Sequence, residues 1–367
     1  MRRISVAACK RYRELPARPT DRIPENEAGN AIWDVLCQCW SFNPEHRPSA
    51  QQVCHIIHTV YQTPVGIAFR VPRLVVREDT TVKDVVTHFE TRDLMNYTEF
   101  LHPSVIVASV SVADTALANV FRVESLYHVP VAFKCVKHTT PYKRLKRAAR
   151  ELCCWASHQH EHILPLYGFS VVGEDLAMVS PWMSNGHIKD YVSRNPSCDR
   201  LALCAQLAQA IAYLHTQNVV HGDIKGPNVL ISDAGTAQVT DFGVSIVDHR
   251  EIEFSITSSG RGTHRWQASI NHAPEILQGK SDSTKEADVY ALGMTMTEIY
   301  SGKQPYDEMN LFQIVQEVIN GARPPRPFML PMDATGNTIW KLMTHCWAGN
   351  TEERPTSGEV YERLKRL

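Results

Sequence analysis

His221-Gly222-Asp223-Ile224-Lys225-Gly226-Pro227-Asn228 is followed, thirteen residues after Asn228, by Asp241-Phe242-Gly243. Each piece alone is a weak signal, because Asp-Phe-Gly is also a good turn sequence and His-Gly-Asp can open an ordinary loop. The information lies in what stands on either side. Upstream, Val131-Ala132-Phe133-Lys134 reads as a strand ending in a lysine, and Glu151 falls on a basic helix that follows. His160-Glu161-His162-Ile163-Leu164 then leads to a strand pair and to Met178-Val179-Ser180-Pro181-Trp182-Met183. Downstream come Ala273-Pro274-Glu275, Asp288-Val289-Tyr290-Ala291-Leu292-Gly293 and, near the end, Arg354-Pro355. Leu201, Cys204, Leu207, Ile211 and Leu214 keep helical spacing ahead of the central stretch.

In this order, over residues 104–367, the motifs resemble the catalytic domain of eukaryotic protein kinases. The resemblance implies an α+β fold of two lobes, a small β-rich lobe with one helix and a large helical lobe. It implies phosphoryl transfer from ATP to a protein substrate, chemistry that demands positioning and charge neutralisation more than covalent work. By that likeness Asp223 accepts the proton of the substrate hydroxyl, while Asn228 and Asp241 hold Mg²⁺ on the phosphates. Lys134 grips the α- and β-phosphates and pairs with Glu151. Val120 and Ala132 line the nucleotide site, the Pro181 carbonyl and Met183 N–H meet adenine, and Ser180 stands at the gatekeeper position. Asp288 holds the backbone of the catalytic loop, and Arg354 pairs with Glu275. Lys225, two residues after the base, is the variant of serine/threonine-type kinases. Together with Gly262-Thr263-His264-Arg265-Trp266 and the Cys-Trp…Arg-Pro ending, it points to the tyrosine-kinase-like group.

Three positions depart from the family pattern; the first removes a cation but no catalytic atom, and the other two weigh against full activity. Gly222 stands where the family has an arginine. The glycine-rich loop corresponds to residues 113–120, and its three glycines are Ala113, Thr115 and Ala118. Glycine there lets backbone N–H groups approach the phosphates, and alanine or threonine narrows the backbone choices. Residues 268–272 are extra just before Ala273 and are expected to perturb peptide docking. A pseudokinase scaffold that binds ATP, or an interaction protein that binds none, are the rival readings. The segment between Asp241 and Glu275 is rich in hydroxyls, among them Ser245, Ser255, Thr257 and Thr263, which phosphate could order if arginines reach them.

A net charge of −1 gives no global attraction to nucleic acid or anionic membrane. The basic run from Lys143 to Arg150 lacks interleaved aromatics and reads as a solvated helix face. No run approaches eighteen apolar residues, so no membrane span is expected. The basic start lacks an apolar core segment, so a secretory signal is not expected either. Ten cysteines, mostly inside apolar segments, suit a reduced cytosolic or nuclear protein. His158, His160 and His162 fall in a loop and read as structural. The sequence leaves the oligomeric state open.

The end of the domain occurs twice. Gly29-Asn30-Ala31-Ile32-Trp33, Cys39-Trp40 and Arg47-Pro48 recur as Gly336-Asn337-Thr338-Ile339-Trp340, Cys346-Trp347 and Arg354-Pro355, all with one offset of 307 residues. Residues 1–62 therefore resemble the last helices of a kinase domain, with Trp33, Leu36 and Trp40 on one helical face; a remnant of a tandem domain, a helical element docked on the kinase domain or a partner, and a largely unstructured segment are the competing readings. Residues 63–103 read as a lightly packed linker with a helix at Val82, Val85, Val86 and Phe89.

Overall fold

The computed structural model describes residues 18–20, 23, 25, 27–41, 47–49, 52–53, 74–99, 111–115, 117–124, 130–246, 252–254 and 271–367. The chain forms two compact units, residues 1–70 and 71–367. The first holds helix α1 (Glu27–Cys39). Its Trp33 and Trp40 rings meet edge to face at 5.7 Å and 73°. Arg18 Nη1 donates to Asn30 Oδ1 at 2.7 Å, and Arg47 Nε donates to the Ser41 carbonyl at 2.9 Å.

In the second unit, five strands form the small lobe: β2 (Ser111–Asp114), β3 (Ala118–Glu124), β4 (Pro130–Val136), β5 (Gly168–Val172) and β6 (Asp175–Pro181). Their order is β2-β3-β4-β6-β5, and every neighbouring pair is antiparallel. Alternation along β4 turns Val131 and Phe133 inward with Val123, Ala177 and Val179. Helix α3 (Pro141–Ala156) starts where the Thr140 hydroxyl accepts from Lys143 N, with proline in its first turn. It buries Leu145, Ala148, Leu152 and Trp155. Its basic residues find partners of their own: Arg144 pairs with Asp175, and Lys146 sits 5.7 Å over the Tyr142 ring.

The large lobe contains α4 (Ile188–Arg194), α5 (Arg200–Thr216), the antiparallel pair β7 (Val229–Ile231) and β8 (Ala237–Val239), α6 (Lys285–Ser301), α7 (Leu311–Ile319), α8 (Ala334–Cys346) and α9 (Ser357–Lys365). Helix α6 is buried from Asp288 to Tyr300, which explains why it shows no amphipathic pattern. No helix among the described residues is long and apolar enough to cross a membrane.

Residues 74–99 differ from a lightly packed linker. Helix α2 (Val82–Glu90) forms as its spacing predicts, closed at its start by a Thr81–Asp84 capping box. Its apolar face is core: Val85 is fully buried and Phe89 meets the Phe169 ring at 6.0 Å. Beyond it, Tyr97 N donates to Phe169 O at 2.7 Å, Phe169 N to Met95 O at 3.0 Å, and Val171 N to Thr98 Oγ1 at 2.8 Å. The segment thus covers the free edge of β5. Ahead of the helix, strand β1 (Leu74–Val76) pairs in parallel with Ile252–Phe254, which lies between Asp241-Phe242-Gly243 and Ala273-Pro274-Glu275. The linker reading failed because both partners lie far away in sequence.

Candidate active site

Strand β4 delivers Lys134 between two carboxylates. Its Nζ donates to Glu151 Oε1, carried by α3, and to Asp241 Oδ1 at 2.6 Å. Burial works against the ammonium, but Asp241 and Glu151 outweigh it and raise its pKa. The two carboxylates diverge. Burial lifts Glu151, whose side chain is only 1% exposed, above the usual carboxylate range despite Lys134. Burial also opposes ionisation of Asp241, yet Lys134 prevails there and drives its pKa well down. Asp241 keeps 31% of its side chain exposed and so presents an ionised oxygen to the open site. Its φ of 72° is left-handed, a strained choice for a non-glycine residue and one common at functional positions. Phe242 is fully buried between Trp155, at 6.2 Å, and His221, at 5.4 Å, and this anchors the turn that carries Asp241.

The catalytic loop is held from below. Asp288 accepts from His221 N at 2.8 Å and from Gly222 N at 2.9 Å. Gly222 has φ of 80°, so the residue replacing the family's arginine occupies a conformation that favours glycine. His221 Nδ1 accepts from Asp223 N at 3.3 Å, which leaves Nε2 to donate to the Thr240 carbonyl at 3.2 Å. Lys225 Nζ reaches Asp223 Oδ2 at 2.7 Å, and Asn228 Nδ2 donates to the same oxygen at 3.0 Å and to Asp223 O at 2.8 Å. Asp223, Lys225 and Asn228 therefore form one cluster, and Lys134, Glu151 and Asp241 another. Pro181 ends β6 opposite Val131, and Ala132 pairs with Ser180. Met183 follows β6 with its carbonyl taken by Gly186 N at 3.0 Å. Val120 sits on β3 opposite Lys134.

The loop that corresponds to the glycine-rich loop is closed on itself. Thr115 Oγ1 accepts from Leu117 N at 3.3 Å and from Ala118 N at 3.1 Å. Thr115 N donates to Ala118 O at 3.0 Å, and Lys137 Nζ ties down Asp114 and the Thr115 carbonyl. Ala113 lies on β2. Two backbone N–H groups of this loop are thus occupied by a side-chain hydroxyl.

Several residues that hold the site were not singled out from the sequence. Asn271, inside the extra stretch, is buried and donates through Nδ2 to Ile224 O (3.3 Å), Thr295 Oγ1 (3.2 Å) and Glu298 Oε1 (2.8 Å). Glu298 Oε2 accepts from Gly226 N at 3.2 Å. The end of the extra segment is thereby fixed beneath the catalytic loop. His215 joins Asp288 at 2.9 Å through Nε2 and Ser357 at 2.8 Å through Nδ1. A buried glutamate inside an apolar helix was the one available signal. Ser245 proved to be structural: it is buried and donates to His221 O at 3.1 Å. Ser255, Thr257 and Thr263, and the Gly262–Trp266 stretch, lie outside the described residues. His158 engages Cys154 O, His162 engages Ala237 O, and His160 stacks on Tyr213, so all three serve packing.

Arg354 forms the anticipated pair with Glu275, at 2.6 and 2.9 Å, as a two-pronged bridge. The sequence family described as "Protein tyrosine and serine/threonine kinase" matches residues 109–364. Mouse tyrosine-protein kinase Srms is 29% identical over 245 residues, 65% of this chain and 47% of its own length. Arabidopsis thaliana serine/threonine-protein kinase STY46 is 27% identical over 227 residues, 60% of this chain and 37% of its own. Mouse tyrosine-protein kinase TXK is 27% identical over 247 residues, 65% of this chain and 44% of its own. The chain thus spans less than half the length of these relatives. With the family matched over the residues that build both lobes and the cluster between them, the chain belongs to the protein tyrosine and serine/threonine kinase family.

Proposed function

We propose that residues 71–367 transfer the γ-phosphoryl group of ATP to serine or threonine hydroxyls of protein substrates, as a member of the tyrosine-kinase-like group. The observation that carries the hydroxyl preference is Lys225, whose ammonium sits 2.7 Å from Asp223. Asp223 takes the substrate proton, and Lys225, hydrogen-bonded to that carboxylate, faces the transferring group. Lys134 binds the phosphates and Glu151 fixes its direction. The ionised, part-exposed Asp241 and the Asn228 carboxamide are hard oxygen donors that suit Mg²⁺. Bound there, Mg²⁺ supplies charge neutralisation on the phosphate oxygens. The Pro181 carbonyl and Met183 N–H take adenine, between Val120 and Ala132. The test is radiolabelled ATP with a degenerate peptide mixture, followed by phosphoamino-acid analysis. Phosphoserine or phosphothreonine is expected, with roughly 10²–10⁴-fold less from Asp223→Asn. Phosphotyrosine alone overturns the specificity.

A second reading, an ATP-binding pseudokinase that acts as a scaffold, is favoured by the closed Thr115 loop. Mg²⁺-dependent ATP binding without any transfer selects it. We also read residues 1–62 as the ending of another kinase domain.

A further inference from the structure

The two endings share local structure as well as sequence. Helices α1 and α8 each have 13 residues, and their limits carry the same 307-residue offset. Trp340 and Trp347 meet at 5.6 Å and 77°, as Trp33 and Trp40 do at 5.7 Å and 73°. Arg354 Nε donates to Ala348 O at 3.0 Å, as Arg47 Nε does to Ser41 O at 2.9 Å, and these donors and acceptors keep the offset too. Arg326 and Arg18 each donate to the matching asparagine, Asn337 or Asn30, at 2.7 Å.

The C-terminal ending shows what this arrangement seats against. Ile339, Leu342, Met343, Cys346 and Trp347 are buried. Their counterparts Ile32, Val35, Leu36, Cys39 and Trp40 are apolar without exception; Val35 is buried, Ile32, Leu36 and Cys39 are half-buried, and Trp40 is left exposed. Trp347 is 1% exposed and lies so close to α6 that a Cβ on Gly293 would stand 2.6 Å from its Nε1. Arg354 lies 5.2 Å over the Tyr290 ring and bridges to Glu275. In the first unit Trp40 is 40% exposed and Arg47 is exposed, with no carboxylate partner among the described residues.

We infer that the α1 face and Arg47 dock on the large lobe of a second kinase domain, one that offers a carboxylate like Glu275 and a helix with glycine at the tryptophan contact. This rests on reading residues 1–62 as a kinase ending. The lobe of this chain, in the same molecule or in a second copy, is not the occupant. Its seat is filled by α8 and α9, and Ala50 stands where Ser357 supplies a hydroxyl to His215.

The first test replaces residues 334–367 of the full chain by a second copy of residues 27–60, with Ala50→Ser in the graft. A single cooperative unfolding transition is expected. Arg47→Ala within the graft should lower Tm by about 5–15 °C, the loss also expected of Arg354→Ala in the natural chain. An aggregated graft beside a cooperative natural chain overturns the kinase-ending reading itself. A cooperative graft indifferent to Arg47→Ala overturns the docking inference alone. The second test puts benzoylphenylalanine at position 40 of the otherwise natural full chain, in cells that express it. Cross-linked peptides from the buried helix of another kinase domain are expected. Peptides from residues 285–301 of this chain, from a non-kinase protein, or none at all overturn the assignment.

Discussion

Thr115 is the residue at which a single change should do most to nucleotide affinity. Its hydroxyl holds Leu117 N and Ala118 N at 3.3 and 3.1 Å, the donors that the proposed ATP site would offer a phosphate. Each such bond contributes roughly 0.5–1.5 kcal/mol net, so opening the loop costs about 1–3 kcal/mol before any phosphate contact forms. At about 1.4 kcal/mol per decade, that penalty weakens ATP by roughly 5–150-fold. Thr115→Val removes the hydroxyl and keeps the shape, so it should recover most of that factor. Thr115→Gly should recover less of it, because added backbone freedom costs about 0.5–1 kcal/mol on ordering, although it also opens space beside the phosphates. Calorimetric titration with MgATP reads both. Tighter binding by the glycine variant alone would mean that bulk, not the hydroxyl, is the obstacle. Unchanged affinity in both variants would refute the argument.

Arg354→Ala should cost about 3–5 kcal/mol in urea unfolding, because Glu275 stays partly buried without its partner; a loss under about 1 kcal/mol would sink this. Asp241 has a lowered pKa, so its contribution is present above the ordinary carboxylate range near about 4 and is lost as pH falls through and below it. Asp241→Asn should therefore flatten the acid limb of the Tm profile, and an identical limb would refute the ionised pair. Val75→Pro should break the pairing of Leu74–Val76 with Ile252–Phe254 and speed tryptic cleavage at Arg250 or Arg261, whereas unchanged cleavage would show that the pairing does not protect the segment. Ser357→Ala should lower kcat several-fold, up to about tenfold, with KM unchanged, and Ser357→Thr should restore it; equal loss in both variants would point to packing alone.

The sequence exposes the parts of the site that are local. The Asp223–Asn228 cluster forms within six residues, so its chemistry can be read from one short stretch. Lys134, Glu151 and Asp241 were placed through the order of motifs, since spacing alone cannot bring residues 107 positions apart into contact. What stayed hidden has distant partners and no motif. Thr98 meets Val171 across 73 positions, and Ser357 meets His215 across 142. Thr115 stood out as a missing glycine, but its capture of two N–H groups needed the hairpin geometry. Asn271 looked like part of a disruptive insertion, yet it satisfies Glu298, a buried carboxylate that is costly without donors.

These distant contacts make the domain's ending part of its catalytic scaffold. Asp288 is 2% exposed, and a carboxylate that deeply buried needs donors on both oxygens. One oxygen takes His221 N and His215 Nε2, and the other takes Gly222 N. His215 can serve only if Nε2 carries the hydrogen, and the Ser357 hydroxyl at 2.8 Å from Nδ1 supplies the donor that selects this tautomer. The terminal helix α9 thus reaches the backbone next to Asp223 through three side chains. Alanine at that position, the residue that Ala50 supplies in the repeated stretch, cannot complete this relay. The two endings are therefore alike in their apolar face and arginine and unlike in the one hydroxyl that touches the catalytic machinery.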